Sequence, residues 1–262
     1  RGPAARVRGR APQGPPDAPQ GPRGGHTAAP LATGAAPASP REPAAPADRT
    51  GGARPAGTAA ELAAEAADLA ALESAIRGWE GSELRRGARS CVFADGNPAA
   101  RLMIVGEAPG AEEDRQGRPF VGRAGQLLDR MLAAIGLDRH AEDPARAAYI
   151  TNILPFRPPG NRTPSEAEAL AFLPFVERHI ALAAPEVILC LGNTPTRALL
   201  GTGAGIRRMR GQWRRHAGTG LALLPSFHPA YLLRQPAEKA HAWRDLLALR
   251  RALDGAPPDI PG

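Results

Sequence analysis

The sequence predicts an α/β fold built on a parallel sheet, and three observations lead there. Short apolar runs alternate with segments of helical periodicity, each run stops abruptly at a Gly-, Pro- or Asn-containing loop, and the pattern recurs from residue 102 to residue 253. The first element is an amphipathic helix opening at Thr58, whose hydroxyl can cap it while Glu61 reaches back. Leu62, Leu69, Leu72, Ile76 and Trp79 then recur on one face. A strand at 102–105 ends in Gly106-Glu107-Ala108-Pro109-Gly110, and a helix over 125–135 carries Leu127, Leu128, Met131 and Leu132. The second strand, 149–154, runs into Arg157-Pro158-Pro159-Gly160-Asn161-Arg162. Thr163-Pro164-Ser165-Glu166 then starts a helix in which Pro174 predicts a kink. A third strand at 187–191 precedes a short helix after Asn193, a fourth lies at 221–224, and a helix over 238–253 closes the chain.

The 262 residues divide unevenly. Within 1–57 the only large apolar side chains are Val7 and Leu31, while 22 of the chain's 59 Gly and Pro residues fall there. Ordering such a segment costs entropy that no buried apolar surface offsets, so 1–57 reads as a disordered Pro/Ala/Gly/Arg tail and 58–262 as one domain. The formal charge of +7 comes mostly from this tail, whose eight Arg face only Asp17, Glu42 and Asp48, leaving +2 for the remainder. A general polycationic surface is therefore excluded, and any nucleic-acid site has to be a local patch. Two cysteines, Cys91 and Cys190, are too few for a disulfide framework or a four-cysteine metal site, which points to a reducing cytoplasm. Without a run of membrane-spanning length or a signal-peptide stretch, the chain is expected to be soluble, cytoplasmic, monomeric and without a membrane partner.

In a parallel sheet, ligands bind beyond the carboxyl ends of the strands. Glu107 and its loop, Asn152 to Asn161, Asn193 and His228 all follow strands and so gather at one rim. The glycines Gly106 and Gly110 match neither a dinucleotide fingerprint nor a P-loop. The continuation from Glu112 to Gly122 is a long polar loop that nevertheless keeps Phe120 between Pro119 and Val121.

Three segments, GEAPGAEEDRQGRPFVGRAGQLLDRML (106–132), YITNILPFRPPGNRTP (149–164) and HPAYLLRQP (228–236), resemble the family 4 uracil-DNA glycosylases. The likeness extends over about 92–249. It implies a three-layer αβα sandwich around a four-stranded parallel sheet, in agreement with the strand and helix pattern. It also implies hydrolysis of the N-glycosidic bond of a flipped-out deoxyuridine in DNA, leaving an abasic site for base-excision repair. On this resemblance Phe120 stacks on the base, Asn152 reads the uracil edge, and Glu113 excludes the 5-methyl group of thymine, within a pocket that includes Gly106 and Gly110. His228 donates to uracil O2 as the base departs, Glu107 stabilises the sugar cation and activates water, and Asn161 helps hold that water. Tyr231, Leu232 and Leu233 match the loop that enters the minor groove, although Leu232 and Leu233 would equally anchor the last helix. Arg207, Arg208, Arg210, Arg214 and Arg215 are phosphate contacts or a solvated loop.

The family typically holds a 4Fe-4S cluster on four cysteines. Trp79, Ser82, Phe156 and Phe172 stand at those places, so neither a cluster nor any other metal is expected. Two further readings stay open: a non-catalytic DNA- or partner-binding module on the same fold, and a glycosylase for another deaminated base such as hypoxanthine.

Overall fold

The computed structural model describes residues 57–260 together with Gly2; the rest of the tail expected over 1–57 lies outside the described residues. The chain begins with α1 (Ala59–Glu65), capped by Thr58 and Glu61 as a reciprocal box, and α2 (Leu69–Gly78), followed by α3 (Leu84–Gly87). The single amphipathic helix expected from Thr58 is thus two helices. Asp68 is extended and its carboxylate accepts from the Ala71 amide, so a new N-terminus interrupts the periodicity without moving the apolar face.

Next come β1 (Ala94–Gly96), β2 (Leu102–Gly106), α4 (Ala111–Gln116), α5 (Arg123–Ala133) and β3 (Ala148–Asn152). They are followed by α6 (Glu166–Ala183), β4 (Val187–Leu191), α7 (Asn193–Leu200), α8 (Ile206–Met209) and β5 (Arg214–Arg215). The last elements are β6 (Ala222–Ser226), α9 (Pro229–Arg234) and α10 (Lys239–Leu253). The polar stretch read as a loop from Glu112 contains α4, since Glu112, Glu113 and Asp114 sit in a first helical turn where carboxylates suit the exposed amides. Helix α6, boxed by Ser165 and Glu168, runs on through Pro174 as one helix.

The sheet runs β1-β3-β2-β4-β6-β5. Its centre is the expected set of four parallel strands, and β1 and β5 add short antiparallel edges that sequence patterning did not reveal. Every residue of β2, β3 and β4 is buried, which is why these strands read as continuous apolar runs rather than alternating ones. Alternate side chains feed two cores. Met103, Val105, Ile188 and Leu223 pack under α1, α2 and α6, whereas Leu102, Ile104, Leu189 and Leu224 pack under α5 and α10. The result is the three-layer αβα sandwich.

Aromatic side chains concentrate in the first core. The Trp79 ring meets Phe172 edge-on at 5.2 Å and Phe175 at 5.3 Å, and Phe156 lies 6.0 Å from Phe172. This cluster joins the end of α2, the loop after β3 and the middle of α6. Among the described residues no helix is long and apolar enough to cross a membrane. Since Phe172 is fully buried at the centre of the cluster, Phe172→Ala is expected to cost about 3–5 kcal/mol in a urea denaturation series. A loss below about 1 kcal/mol would show that the aromatic contacts do not tie these elements together.

Candidate active site

After β2 the chain leaves toward β3 on one side, and after β4 it leaves toward β6 on the other. A crevice opens where the order reverses, between the ends of β2 and β4. A hydrogen bond spans it: Thr194, at the start of α7, donates its hydroxyl to Glu107 Oε2 at 2.6 Å. The Glu107 carboxylate is thereby held at the mouth of a cleft of about 840 Å³.

The cleft floor is set by strand register. Gly106 pairs opposite Asn152, and a side chain at Gly106 would meet Asn152 Oδ1 at 2.3 Å and the Phe120 ring at 2.6 Å. Only a glycine lets the amide and the aromatic ring converge over that backbone. The Asn152 side-chain amide has no hydrogen-bond partner among the described residues and borders the cleft, so its donor and acceptor are available to a ligand. Phe120, expected on a polar loop, is buried, with φ at 53° and its ring stacked at 5.4 Å on that of His228.

His228 follows β6 and caps α9, its Nδ1 accepting from the Ala230 amide at 3.1 Å. The remaining proton therefore sits on Nε2. Burial first, and then the neighbouring Arg234 guanidinium, push the imidazole down to about 4, so the ring is neutral at physiological pH.

Glu113 also borders the cleft, but its carboxylate is fully engaged with backbone. Oε1 accepts from Val121 and Gly122 at 2.9 and 2.8 Å, and Oε2 accepts from Gly110 at 3.1 Å. Asn161 lies on the rim in a short 3-10 turn, its Oδ1 accepting from Arg157 Nε at 2.7 Å. Tyr231 lines the same cleft, where its hydroxyl accepts from Arg207 at 2.6 Å.

Two residues expected at the DNA surface, Leu232 and Arg210, sit elsewhere. Leu232 is buried with Leu127, Phe227 and Ala242, so it anchors α9 and α10 instead of projecting outward. Arg210 turns inward to pair with the buried Asp245 carboxylate and to donate to the His241 carbonyl, which leaves its guanidinium no freedom to reach a phosphate. Arg208 is exposed but does not border the cleft. The cations that do border it are Arg162, Arg197, Arg207 and Arg234, of which Arg162 is already bound in a fork by Glu168.

The four places where the resemblance implies thiolates do not suit an iron–sulfur cluster. Trp79, Phe156 and Phe172 are packed against one another, and Ser82 accepts from the Leu84 amide at 3.3 Å. Cys91 and Cys190 are buried and free, and burial pushes both thiols up, Cys91 to about 12. Among the described residues no group of three or more His, Cys, Asp or Glu is placed to hold a metal ion.

The family model for the uracil DNA glycosylase superfamily matches residues 93–247. The type-4 uracil-DNA glycosylase of Pyrobaculum aerophilum is 36% identical over 185 residues, covering 68% of this chain and 91% of that protein. The type-4 enzyme of Thermotoga maritima is 43% identical over 144 residues, 55% of this chain and 71% of its own length. A type-5 uracil-DNA glycosylase of Thermus thermophilus is 36% identical over 146 residues, 51% of this chain and 66% of its own length. With a carboxylate, an amide, an aromatic ring and a neutral imidazole sharing one cleft inside the matched span, the chain belongs to the uracil DNA glycosylase superfamily, in its type-4 family.

Proposed function

We infer that this chain is a uracil-DNA glycosylase of base-excision repair, which hydrolyses the N-glycosidic bond of deoxyuridine in DNA and leaves an abasic site. The observation that carries the reading is the convergence of Glu107, Asn152, Phe120 and His228 on one cleft at the carboxyl ends of the strands.

Each group has a task suited to its setting. A base inside the duplex is out of reach, so the nucleotide is flipped out, and stacking on Phe120 offsets part of the unstacking cost. The unpartnered Asn152 amide pairs with O4 and N3–H of uracil. Cytosine presents the reverse pattern there and would leave buried groups unsatisfied. Glu113 forms the wall that excludes the 5-methyl group of thymine. Pinned by three backbone amides, it cannot swing aside without breaking those bonds.

As the bond between N1 and C1′ breaks, its electron pair stays on uracil, and neutral His228 donates from Nε2 toward O2 of the departing anion. Glu107, opposite, stabilises the positive sugar and accepts a proton from the water that adds to C1′. Thr194 is a positioning residue that keeps the carboxylate aimed across the crevice. Asn161 has its amide nitrogen left for the water, since its oxygen serves Arg157. Arg197, Arg207 and Arg234 at the cleft mouth supply phosphate contacts, and Tyr231 borders the groove beside them. No iron–sulfur cluster enters this scheme. Aromatic packing does the tethering that four thiolates would do.

An oligonucleotide with one uracil should become alkali-labile with the wild-type protein, and Glu107→Gln should cut the rate at least about a hundredfold. The same wild-type preparation should carry no bound iron. Equal inactivity of both proteins would favour a binding module instead, and release of hypoxanthine in preference to uracil would move the assignment to another deaminated base.

Thr194→Val should lower kcat by about tenfold and Thr194→Ser should restore it, because only the hydroxyl reaches Glu107. Equal rates in all three proteins would remove Thr194 from the site.

Because burial depresses the His228 pKa, the ring should stay neutral from pH 8 to pH 5 and protonate with an NMR midpoint near 4. A midpoint at or above 6.5 would mean that a cationic imidazole faces the leaving group.

A further inference from the structure

Phe120 holds a backbone conformation that a bulky L-residue seldom adopts, with φ at 53°, and side-chain packing alone does not account for it. Two opposite charges grip the chain on either side of this residue. The Pro119 carbonyl before it and Phe120's own carbonyl each accept a hydrogen bond from the Arg139 guanidinium, from Nη1 and Nη2 at 3.0 Å. After it, the amides of Val121 and Gly122 donate to Glu113 Oε1. The Phe120 carbonyl also lies where a side chain at Gly125 would be, 1.7 Å from that imagined carbon, so α5 leaves room for the carbonyl to point at the arginine.

Arg139 itself is almost wholly buried, at 4% exposure, in the connection between α5 and β3. Its Nε donates to Asp129 at 2.7 Å, Nη1 also reaches Asp95 at 3.2 Å, and Nη2 lies 2.6 Å from Asp129. Four N–H groups of the fork therefore donate, two to carbonyls and two to carboxylates from β1 and α5, with the Asp129 charge also close to Nη2. A buried cation placed this way orients rigidly, and its planar fork can span two successive carbonyls, which a point-like ammonium cannot. The other buried pairs described, Arg210 with Asp245 and His216 with Glu177, join scaffold elements and do not touch backbone next to the cleft floor.

We propose that Arg139 is a positioning residue for base recognition: by holding the carbonyls of Pro119 and Phe120 against the hold of Glu113 on the next two amides, it fixes the Phe120 ring over Gly106 and beside Asn152. It acts through Phe120 and does not itself touch the base. The proposal rests on the uracil-excision reading for its kinetic consequence, but the positioning of the loop can be observed without the reaction.

The test is a double-mutant cycle of kcat/KM on a uracil-containing oligonucleotide with wild type, Arg139→Met, Phe120→Ala and the double variant. Arg139→Lys takes the place of Arg139→Met if that variant does not fold. The arginine variant should lose about ten- to a hundredfold, and the double variant should fall within about twofold of Phe120→Ala alone, because both remove the same stacking contact. Losses that multiply would mean that Arg139 works by another route and would overturn the proposal, as would an arginine variant with wild-type kcat/KM.

Hydrogen exchange on Arg139→Lys supplies the readout that needs no turnover. Exchange at the Val121 and Gly122 amides should rise at least about tenfold while the β2 amides of Ile104 and Val105 stay protected. Unchanged exchange at Val121 and Gly122, or an equal rise throughout β2, would overturn the proposal. A wild-type protein that exchanges as expected yet releases no uracil would sink the functional reading and leave the positioning role standing.

Discussion

The site depends on one constraint, the parallel pairing of β2 with β3 on one side and β4 on the other. That register sets Gly106 opposite Asn152 and sends the following segments in opposite directions. Everything recognised as chemical then follows from where the strands stop. Glu107 leaves β2 on the lip of the crevice, Asn152 ends β3 at its floor, Thr194 enters α7 across from Glu107, and His228 leaves β6 at the far wall. Burial of both sheet faces makes the arrangement costly to disturb. A slip of one residue in β2 would exchange the side chains serving the two cores and carry Gly106 away from Asn152.

On this scaffold, several polar side chains at the site are positioned by backbone groups. Glu113 and Arg139 both spend hydrogen bonds on main-chain atoms flanking Phe120, and His228 is oriented by the Ala230 amide. Among the described residues every side-chain nitrogen or oxygen closed off from solvent has a partner, and the Asn152 amide, open to the cleft, is kept for a ligand. A network satisfied to that extent has little to gain from rearranging, which suits a pocket that must discriminate by leaving the wrong base unsatisfied. It also explains why two acidic residues six positions apart, Glu107 and Glu113, are not interchangeable. One faces the crevice with a single hydroxyl partner, and the other is consumed in holding the loop.

Much of the frame was legible in the sequence because buried parallel strands announce themselves as apolar runs, and each run in 102–105, 149–154, 187–191 and 221–224 proved to overlap a strand. The boundaries that failed did so for local reasons. Asp68 begins a second helix within one continuous amphipathic pattern, and edge strands such as Arg214–Arg215 are too short and too polar to carry a period. Of the site, the residues just beyond strand ends were visible, since topology alone places them together. Arg210 and Leu232 were misplaced because whether a basic or apolar side chain turns inward depends on partners far along the chain, here Asp245 on α10 and Leu127 on α5. Thr194 offered a weak signal as a hydroxyl at a helix start directly after a strand, but its carboxylate partner is 87 positions away. Arg139 offered none, standing in a polar connection indistinguishable from a solvated loop.

The aromatic cluster bears on the same site from the opposite face of the sheet. Phe156 belongs to the segment that leaves β3 after Asn152 and returns to the rim at Asn161, and it is buried together with Ile153 and Leu154 in the core that holds Trp79 and Phe172. Full burial of a Phe side chain contributes about 1.5–3 kcal/mol, so three apolar anchors in four residues fasten the segment to the core. Anchoring at this point restrains the Asn152 amide and the rim asparagine together, because few residues separate either from the buried anchors. Side chains other than thiolates at these positions are therefore compatible with a rigid pocket, provided they are large and apolar. Trp79, Phe156 and Phe172 meet that condition, while Ser82, on a half-exposed turn, does not need to.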